Sequence, residues 1–310
     1  MRRSRSEGEA PARRTGYFTR HAVRGYGPFT PYLFLLPAAA VYGVFLLYPF
    51  GQAIQISFYD WNGMTVGTFA GLKNYAALAT NPALRAAFGH AFVLIVFYAV
   101  IPIVCGLVIA AVLNRARVKG LGFFRTVYFV PQVIALVAAA TAWSHIYGID
   151  GSLNDILRHV GLDALASDWL GDYTLALPSV GVIGTWVEIG LVIVLLLAGM
   201  ARVDSALYEA ARIDGAGPAR EFLFITLPSI RGEIAVAATL TVIAALKNFD
   251  LVYMTTSGGP GGSTTVPSYE VYRQAFIVKQ VGLATAVGVT LSVLILVINV
   301  VVNRIGGDEQ

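Results

Sequence analysis

Six long apolar runs dominate the sequence and set the strongest limit on how the chain can fold. They lie at about residues 31–50, 88–113, 126–146, 177–200, 234–253 and 281–302. In a helix, about 20 apolar residues cross a hydrocarbon layer about 30 Å thick. Only 13 % of the residues are charged, which is too little to cover the surface of a soluble domain of this size. The sequence therefore predicts an all-α integral membrane protein, built as a bundle of six transmembrane helices.

The charges between the apolar runs predict the orientation of the bundle. Residues 114–125 carry four basic residues and no acidic one, and the N-terminal arm is rich in arginine. Residues 149–173 carry five aspartates and one arginine. Because positively charged loops stay in the cytoplasm, we expect both termini inside and residues 149–173 outside, in the cytoplasmic (inner) membrane of a bacterium or archaeon.

The same patterns predict the domain organisation. Residues 1–30 read as a cytosolic basic arm, residues 31–304 as one transmembrane domain and residues 305–310 as a cytosolic tail. A cleaved signal peptide would have a shorter apolar core and a small-residue cleavage site. We therefore interpret the first apolar run as a retained crossing.

Residues 201–233 form the most patterned of the expected cytosolic loops. Asp204 is suited to cap a helix at 207–213, and Gly215, Gly217 and Pro218 would end that helix. A second short helix at 219–226 would stop before Pro228. We expect the apolar side chains to face the bundle and the charged ones to face the cytoplasm: Leu207, Ala211, Phe222 and Ile225 on one side, Glu209, Arg212 and Arg220 on the other.

A motif at fixed spacing lies within this loop. It reads Glu-Ala-Ala, three residues, Gly, nine residues, Ile, one residue, Leu-Pro, from Glu209 to Pro228. This motif resembles the EAA loop of the permease subunits of ABC importers. The resemblance implies a cytosolic coupling helix that docks onto a separate ATPase and couples its closure to the membrane helices. The residues implied in this ATPase coupling are Glu209, Ala210, Ala211, Asp214, Gly215, Leu227 and Pro228. The alternative is an ordinary amphipathic connector in which Glu209 is only solvated.

Other segments extend the resemblance over about residues 31–304. Residues 69–75, 122–126, 249–250 and 256–260 resemble those of carbohydrate-uptake permeases of the maltose and glycerol-phosphate type, in their compact six-helix form. The resemblance implies four partners besides membrane lipid: a second homologous permease subunit, a dimer of ATP-binding cassette ATPases, an extracytoplasmic solute-binding protein and a sugar substrate. We do not expect nucleic acid, because the charges cluster at the ends of the apolar runs.

The chain itself is not expected to be an enzyme or to hold a cofactor. The sequence contains no Gly-x-x-x-x-Gly-Lys-Ser/Thr phosphate-binding loop. ATP and Mg²⁺ would therefore be bound by the partner ATPase. The single cysteine and four dispersed histidines also show no metal-ligand spacing.

Candidate residues for the substrate path follow from the chemistry of sugars, which stack on aromatic faces and need polar groups for their hydroxyls. The candidates are Trp186, Glu188, Asn248, Phe249, Asp250 and Tyr253. Glu188 stands out because a carboxylate at membrane depth is costly and usually faces a cavity or a partner. Trp143 and Tyr147, at the end of the third run, are expected in an interfacial aromatic belt, with ligand contact as the alternative. Residues 248–250 alternatively have a structural role.

Two other classes of function compete with the importer reading. The first is an ion-coupled secondary transporter of a polar solute, but no second half repeats the first in broken helices, and Glu188 stands nearly alone as an intramembrane acid. The second is a membrane-embedded enzyme, which the lack of a catalytic cluster disfavours.

Overall fold

The structure, a computed structural model, describes residues 30–115 and 120–306 of the 310-residue chain. Most of the expected arm, the centre of the basic turn at 114–125 and the last four residues of the expected tail lie outside the described residues. The chain divides into two units, Met1–Phe50 and Gly51–Gln310.

The described part of the first unit is helical. Helix α1 (Thr30–Tyr42) continues through a five-residue π-helical turn, Gly43–Leu47, into α2 (Tyr48–Ile56), which runs past the boundary between the units. Together they make one uninterrupted apolar span, Tyr32–Ile56. The helix therefore extends beyond the expected end of the first crossing at residue 50.

A two-stranded hairpin follows α2, and the all-α prediction lacked it. Strand β1 (Tyr59–Asp60) pairs antiparallel with β2 (Thr68–Phe69), with Tyr59 opposite Phe69. Helix α3 (Lys73–Thr80) follows. The amide of Asn74 in α3 donates to the carbonyl oxygens of Ser57 at 2.9 Å and Tyr59 at 3.0 Å, and so holds the hairpin against the helix.

The second span is one continuous helix with a π-helical turn in its middle. It consists of α4 (Pro82–Ile95), the turn Val96–Val100 and α5 (Ile101–Arg115). Its start has a clear cause: the Asn81 side chain accepts a hydrogen bond from the Ala83 N–H, and Pro82 occupies the first helical position.

The expected third crossing, residues 126–146, is not one straight helix. It consists of α6 (Leu121–Val133) and α7 (Leu136–Ile146), bent by 95°. Ile134 and Ala135 between them adopt extended backbone angles, shortly after Pro131. The hydropathy of the sequence indicated an apolar run but could not indicate the bend within it. Helix α8 (Ser152–His159) and a short 3₁₀ turn, Asp163–Leu165, follow.

The next helices frame the 201–233 loop. The long helix α9 (Ala176–Met200) leads into α10 (Ser205–Ile213). Then come α11 (Pro218–Glu221), a π-helical turn at Phe222–Thr226 and α12 (Leu227–Ser229). Helix α13 (Arg231–Leu246) starts after a 68° bend at Ile230.

The expected fifth crossing, residues 234–253, is also interrupted. Helix α13 ends at Leu246, and the separate helix α14 (Asp250–Thr255) follows. The hydroxyl of Ser268 donates to the carbonyl oxygen of Asn248, so a polar group outside the helix satisfies the freed backbone. The chain ends with α15 (Pro267–Tyr272), a π-helical turn at Arg273–Ile277 and α16 (Val281–Gly306).

Helix α9 lies at the centre of the second unit. In its most apolar stretch 61 % of the residues are buried, against 28 % for the spans Pro82–Asn114 and Val281–Arg304. Its glycines permit this packing, because a Cβ at Gly190 would overlap the Tyr128 carbonyl oxygen, and one at Gly181 would overlap the Phe97 ring. Small residues that let helices approach closely are typical of membrane bundles.

Among the described residues, four helices are long and apolar enough to cross a membrane without interruption. Two bent helix pairs pass the same test, Gly122–Val133 with Leu136–Ile146 and Pro218–Ser229 with Arg231–Leu246. The predicted helical membrane fold is confirmed, and the number of crossings reaches six when each bent pair is counted as one.

Candidate functional site

The first half of the 201–233 loop folds as the sequence predicted. The side chain of Asp204 accepts a hydrogen bond from the Ala206 N–H at 2.9 Å and caps α10. At the other end, Gly215 donates to the Arg212 carbonyl oxygen and Ala216 to the Ala211 carbonyl oxygen. This is the Schellman arrangement, which needs a left-handed residue at the position of Gly215.

The need for glycine at position 215 comes from its backbone. A Cβ built on Gly215 would meet no atom within 4 Å, whereas its backbone φ is +78°. The position therefore requires glycine because of its backbone conformation, independently of any close approach within this chain.

Helix α10 lies open to solvent, and none of its residues is fully buried. The motif residues Glu209, Ala210 and Asp214 are exposed, whereas Ala211 is half-buried. Farther along the loop, Pro228 is exposed and Leu227 is half-buried. The structure thus leaves most of the motif accessible to another molecule.

Two apolar side chains of α10 depart from the expected pattern. Leu207 was expected to face the bundle, but 51 % of it is exposed. Ile213, which the sequence analysis did not single out, is 87 % exposed. It lies one helical turn after Glu209, so both lie on the same face of α10. That i, i+4 spacing is the signal that could have identified Ile213.

Polar ties help to hold the shape of the loop, in addition to apolar packing at its base, where Ile230 and Phe222 belong to a core cluster. The Nε of Arg212 donates to Oε1 of Glu221 at 2.8 Å, and only 8 % of the Glu221 side chain is exposed. This bond and the nearby charge raise the pKa of Arg212. The hydroxyls of Tyr208 and Thr226 make a second tie at 2.9 Å. Arg212 was expected to face away from the bundle, and its side chain is largely exposed; the ion pair with Glu221 was not foreseen, because it forms only when folding brings α11 beside α10.

A third tie closes the base of the loop. Arg202, just after α9, forms an ion pair with Glu233 in the first turn of α13. The aliphatic part of Glu233 packs on Gly199, where a Cβ would overlap it. The helices that enter and leave the loop are therefore joined directly.

A cleft of about 880 Å³ lies beside α10. Its lining comes from α5, the end of α9, α10, α11 and the π-helical turn after α11, and includes Asn114, Tyr208, Glu209, Arg212, Glu221 and Thr226. Helix α10 forms one wall of this cleft, and none of its residues is buried against the bundle.

A cluster of buried polar groups lies deep in the bundle. Tyr98, Glu188 and Asn248 are 4 %, 7 % and 7 % exposed. The Tyr98 hydroxyl is close enough to interact electrostatically with Glu188 and with the Asn248 side chain. The Tyr98 hydroxyl and Asn248 Nδ2 have no hydrogen-bond partner of ordinary geometry in the described part of the chain. Buried polar groups are normally paired, so this cluster is suited to receive a polar ligand.

Sequence reasoning missed Tyr98. Its ring lies against Gly184, where a Cβ would overlap it, one turn before Glu188 on α9. The glycine thus brings the tyrosine beside the carboxylate. A tyrosine in the middle of the apolar run 88–113 was the available signal, but the run alone does not reveal which way its side chain points.

The aromatic candidates separate into two groups. Trp186 contacts Trp143 edge to face, with ring centroids 5.6 Å apart, and Trp143 contacts Tyr147. Tyr147 is 4 % exposed and therefore does not form part of a lipid-facing belt. Phe249 and Tyr253 stack at 5.2 Å in a second group with Tyr269 and Tyr272.

The six predicted path residues are thus only partly brought together. Glu188 and Asn248 share the polar cluster, and Trp186 lies two residues before Glu188 on α9. Phe249 and Tyr253 follow Asn248 and belong to the second aromatic group. Asp250 is exposed at the start of α14.

Residues 103–307 match the family described as binding-protein-dependent transport system inner membrane component. The chain is 37 % identical to the probable ABC transporter permease protein YurN of Bacillus subtilis, over 87 % of this chain and 93 % of that protein. It is 32 % identical to the trehalose/maltose transport system permease protein MalF of Thermococcus litoralis, over 89 % and 92 %.

An uptake permease and a solved structure are also similar to the chain. The diacetylchitobiose uptake system permease protein NgcF of Streptomyces coelicolor is 33 % identical, over 89 % of this chain and 83 % of that protein. The fold is similar to that of a chain in a crystal structure of a bacterial ABC transporter involved in alginate import. The TM-score is 0.73 at 24 % identity, over 89 % of this chain and 94 % of that one.

Proposed function

The chain belongs to the family of binding-protein-dependent transport system inner membrane components, and from that premise we propose that it forms half of the translocation path for a sugar or a sugar-like solute. It is a permease subunit of an ABC importer, and ATP hydrolysis belongs to a separate subunit. Membership of this family does not support the alternative hypothesis of an ion-coupled secondary transporter. Relatives whose names refer to trehalose/maltose, diacetylchitobiose and lactose transport support a carbohydrate substrate.

One observation carries the proposal: of the three groups in the buried polar cluster, one lies on a helix that brackets the 201–233 loop and another lies just beyond the other bracketing helix. Glu188 lies on α9, about three turns or roughly 18 Å before the helix enters the loop. Asn248 follows the end of α13, which leaves the loop. A force on the loop would therefore act on two of the groups suited to hold substrate.

The chemistry of the cluster fits a polyhydroxylated ligand. The Tyr98 hydroxyl and the Asn248 amide can donate hydrogen bonds, and the Glu188 carboxylate accepts them. Phe249 adjoins Asn248, so an aromatic face is available for the apolar C–H surface of a sugar ring. Trp186, two residues before Glu188 on α9, lies on a different side of that helix. Polar groups that fix orientation beside apolar walls are typical of small-molecule sites.

The coupling role is assigned to the exposed face of α10. Glu209, Ile213 and Asp214 would enter a cleft on the ATPase, with Ala210, Ala211, Gly215, Leu227 and Pro228 shaping the docked segment. ATPase closure would displace α10, and the ties from Arg212 to Glu221 and from Arg202 to Glu233 would pass the displacement to α9 and α13. Tilting these helices would alternately open the polar cluster to each side of the membrane.

The proposed assembly contains a second homologous permease, an ATPase dimer that binds ATP and Mg²⁺, and a solute-binding protein outside. The N-terminus, the C-terminus and the 201–233 loop are proposed to lie in the cytoplasm. Lipid surrounds the spans.

Reconstitution tests the function. The complete importer in liposomes is supplied with its purified solute-binding protein and radiolabelled trehalose, maltose, lactose or diacetylchitobiose. We expect uptake of one of these sugars that requires ATP on the ATPase side and the binding protein on the other. Uptake driven by a proton gradient without ATP, or binding-protein-stimulated ATP hydrolysis with no carbohydrate transported, would overturn the proposal.

A further inference from the structure

A cavity of about 460 Å³ lies beside the 68° bend between α12 and α13. Its walls come from α12, the first two turns of α13 and the end of α16. They are mainly apolar and include Leu227, Pro228, Ile234, Ala238 and Val302. We call this space the α13–α16 cavity. It shares no described lining residue with the cleft beside α10 or with the buried polar cluster.

Small side chains create this space where α13 and α16 meet. Gly306 lies against Ala235, since a Cβ on the glycine would overlap the Ala235 side chain. Ala238 lies one turn after Ala235 on the same side of α13, and its methyl group leaves the volume beside it unfilled. Because apolar walls are unfavourable in contact with water, we expect an apolar group to occupy the space.

The apolar surface continues from the cavity onto the 201–233 loop. Leu223 and Phe224 are 53 % and 75 % exposed. They precede Leu227 and Pro228 by four residues, about one helical turn, so they lie on the same side of this segment. Exposed apolar side chains along one side of a helical segment are typical of a segment that lies in the membrane interface. They favour lipid, rather than water, as the surroundings of the cavity.

Arg231 brings a positive charge to this apolar surface. It lines the cavity at the start of α13 and is exposed. The acidic residue in the same turn, Glu233, is paired with Arg202. Arginine presents a planar fork of N–H donors that matches phosphate oxygens, and basic pockets between membrane helices on the cytoplasmic side are typical sites for anionic lipid head groups. An apolar space with an arginine in its lining is therefore complementary to a phospholipid with a net negative charge.

Resting on the proposed cytoplasmic position of the loop, we propose that the α13–α16 cavity binds an anionic phospholipid of the inner leaflet. One acyl chain enters between α13 and α16, and the Arg231 guanidinium binds the phosphate. Leu227 and Pro228, the last residues of the coupling motif, form part of the wall. Bound lipid therefore supports the bend at Ile230, which joins the loop to α13, and ATP coupling depends on the charge of the surrounding lipid.

The test uses the complete importer in nanodiscs of phosphatidylcholine, alone or mixed with phosphatidylglycerol as the anionic probe. Native mass spectrometry counts the phosphatidylglycerol molecules that remain bound to the complex. ATP hydrolysis stimulated by the purified, sugar-loaded solute-binding protein is the second readout.

Two variants change the cavity in different ways. Arg231→Gln removes the charge, and Ala238→Phe fills the space without changing charge. Arg304→Gln is the matched control, because Arg304 is an exposed arginine near the end of α16. It lies on a different side of that helix from Val302 and Gly306, which line the cavity.

We expect wild type and the control to retain phosphatidylglycerol and to hydrolyse ATP faster when this lipid is present. Arg231→Gln should retain about fivefold less of the lipid, the effect of one charge near an anionic membrane surface. Ala238→Phe should lose the bound lipid because its ring takes the place of the acyl chain. Both cavity variants should also lose the stimulation of ATP hydrolysis by phosphatidylglycerol.

Equal loss of lipid in Arg231→Gln and Arg304→Gln would reveal general attraction to charged lipid and overturn the site. Wild-type retention in both cavity variants, or no retention by wild type, would overturn it as well. So would a purified Ala238→Phe complex that lacks the second permease, because the cavity would then be a contact between subunits. If the wild-type complex does not respond to the binding protein in either lipid, the proposed function fails, whereas the lipid count still decides the site.

Discussion

Arg212 Nε donates to Glu221 Oε1 at 2.8 Å, which joins the end of α10 to the end of α11 across the glycine-rich turn. Glu221 is nearly buried, whereas Arg212 is largely exposed. Removing the arginine would therefore take one charged partner away from a carboxylate that is shielded from water. The pair orients α10, the helix that carries the proposed ATPase contact.

Arg212→Ala is expected to lower ATP-coupled uptake on the order of tenfold, because the loss of one partner of a shielded pair is strongly disruptive. Membrane insertion should be unaffected. The measurement is sugar uptake by the reconstituted importer, with the amount of co-purified ATPase as a second readout.

Arg220→Ala, a change at an exposed arginine on α11, is the control. The exchange Arg212→Glu with Glu221→Arg should restore part of the activity, and equal uptake by Arg212→Ala and wild type would contradict the role of the pair.

Gly215 offers a test in which backbone conformation alone changes. A residue with a side chain is strained at its φ of +78° by about 1 kcal/mol, so Gly215→Ala should loosen the end of α10 and reduce coupled uptake. Gly215→Asn should be milder, since asparagine tolerates this conformation. Gly217 is a matched control, because it has a φ of −80° and open space around its Cα. A larger defect in Gly217→Ala than in Gly215→Ala would refute this explanation.

Glu209→Lys tests the docking face of α10 directly. Glu209 is exposed, so the substitution should leave the fold and membrane insertion intact. Reversal of charge in the ATPase cleft should abolish ATP-coupled uptake, and Glu209→Gln should have a weaker effect. Uptake and ATPase co-purification are measured together, and wild-type uptake by Glu209→Lys would remove the basis for this contact.

Tyr98→Phe separates a ligand-binding role from a structural one. The Tyr98 hydroxyl has no hydrogen-bond partner of ordinary geometry among the described residues, so its removal should not lower the thermal stability of the complex. If the hydroxyl serves the substrate, the KM for uptake should rise on the order of tenfold. Thr239→Val, which removes another unpartnered buried hydroxyl on α13, should leave KM unchanged. Loss of stability with an unaltered KM would assign Tyr98 to the fold.

Orientation is testable with a pair of cysteines in a Cys105→Ser background. Asp163→Cys and Ser205→Cys place thiols at exposed positions in the 3₁₀ turn after α8 and at the start of α10. In intact cells a membrane-impermeant maleimide should label the cysteine at 163 and spare the one at 205, and disrupted membranes should label both. Labelling of position 205 in intact cells would invert the proposed topology.

Local signals made the loop predictable, whereas contacts between distant segments did not. The cap at Asp204 and the stop at Gly215 depend on neighbouring residues, and both are found as expected. The pairing of Arg212 with Glu221 depends on how α11 folds back, which no spacing rule states. The breaks after Val133 and Leu246 escaped prediction for a related reason: hydropathy reports where a chain is apolar but not where it turns.

The same limit applies to the polar cluster. Glu188 was recognisable because a carboxylate in an apolar run is unusual. Tyr98 was not, because its placement depends on the absence of a side chain at Gly184 on another helix. Leu207 shows the opposite kind of error. Its apolar side chain was expected to pack on the bundle, but α10 buries no residue there and Leu207 is exposed.

The short connections at the base of the 201–233 loop have a consequence for efficiency. Helix α9 ends at Met200 and α10 begins at Ser205, while only Ile230 separates α12 from α13. For a permease that works as proposed, these connections are too short to bend when the ATPase closes. Each closure must therefore tilt the membrane helices. Rigid connections of this kind limit ATP hydrolysis without substrate transport, and no separate locking element is needed.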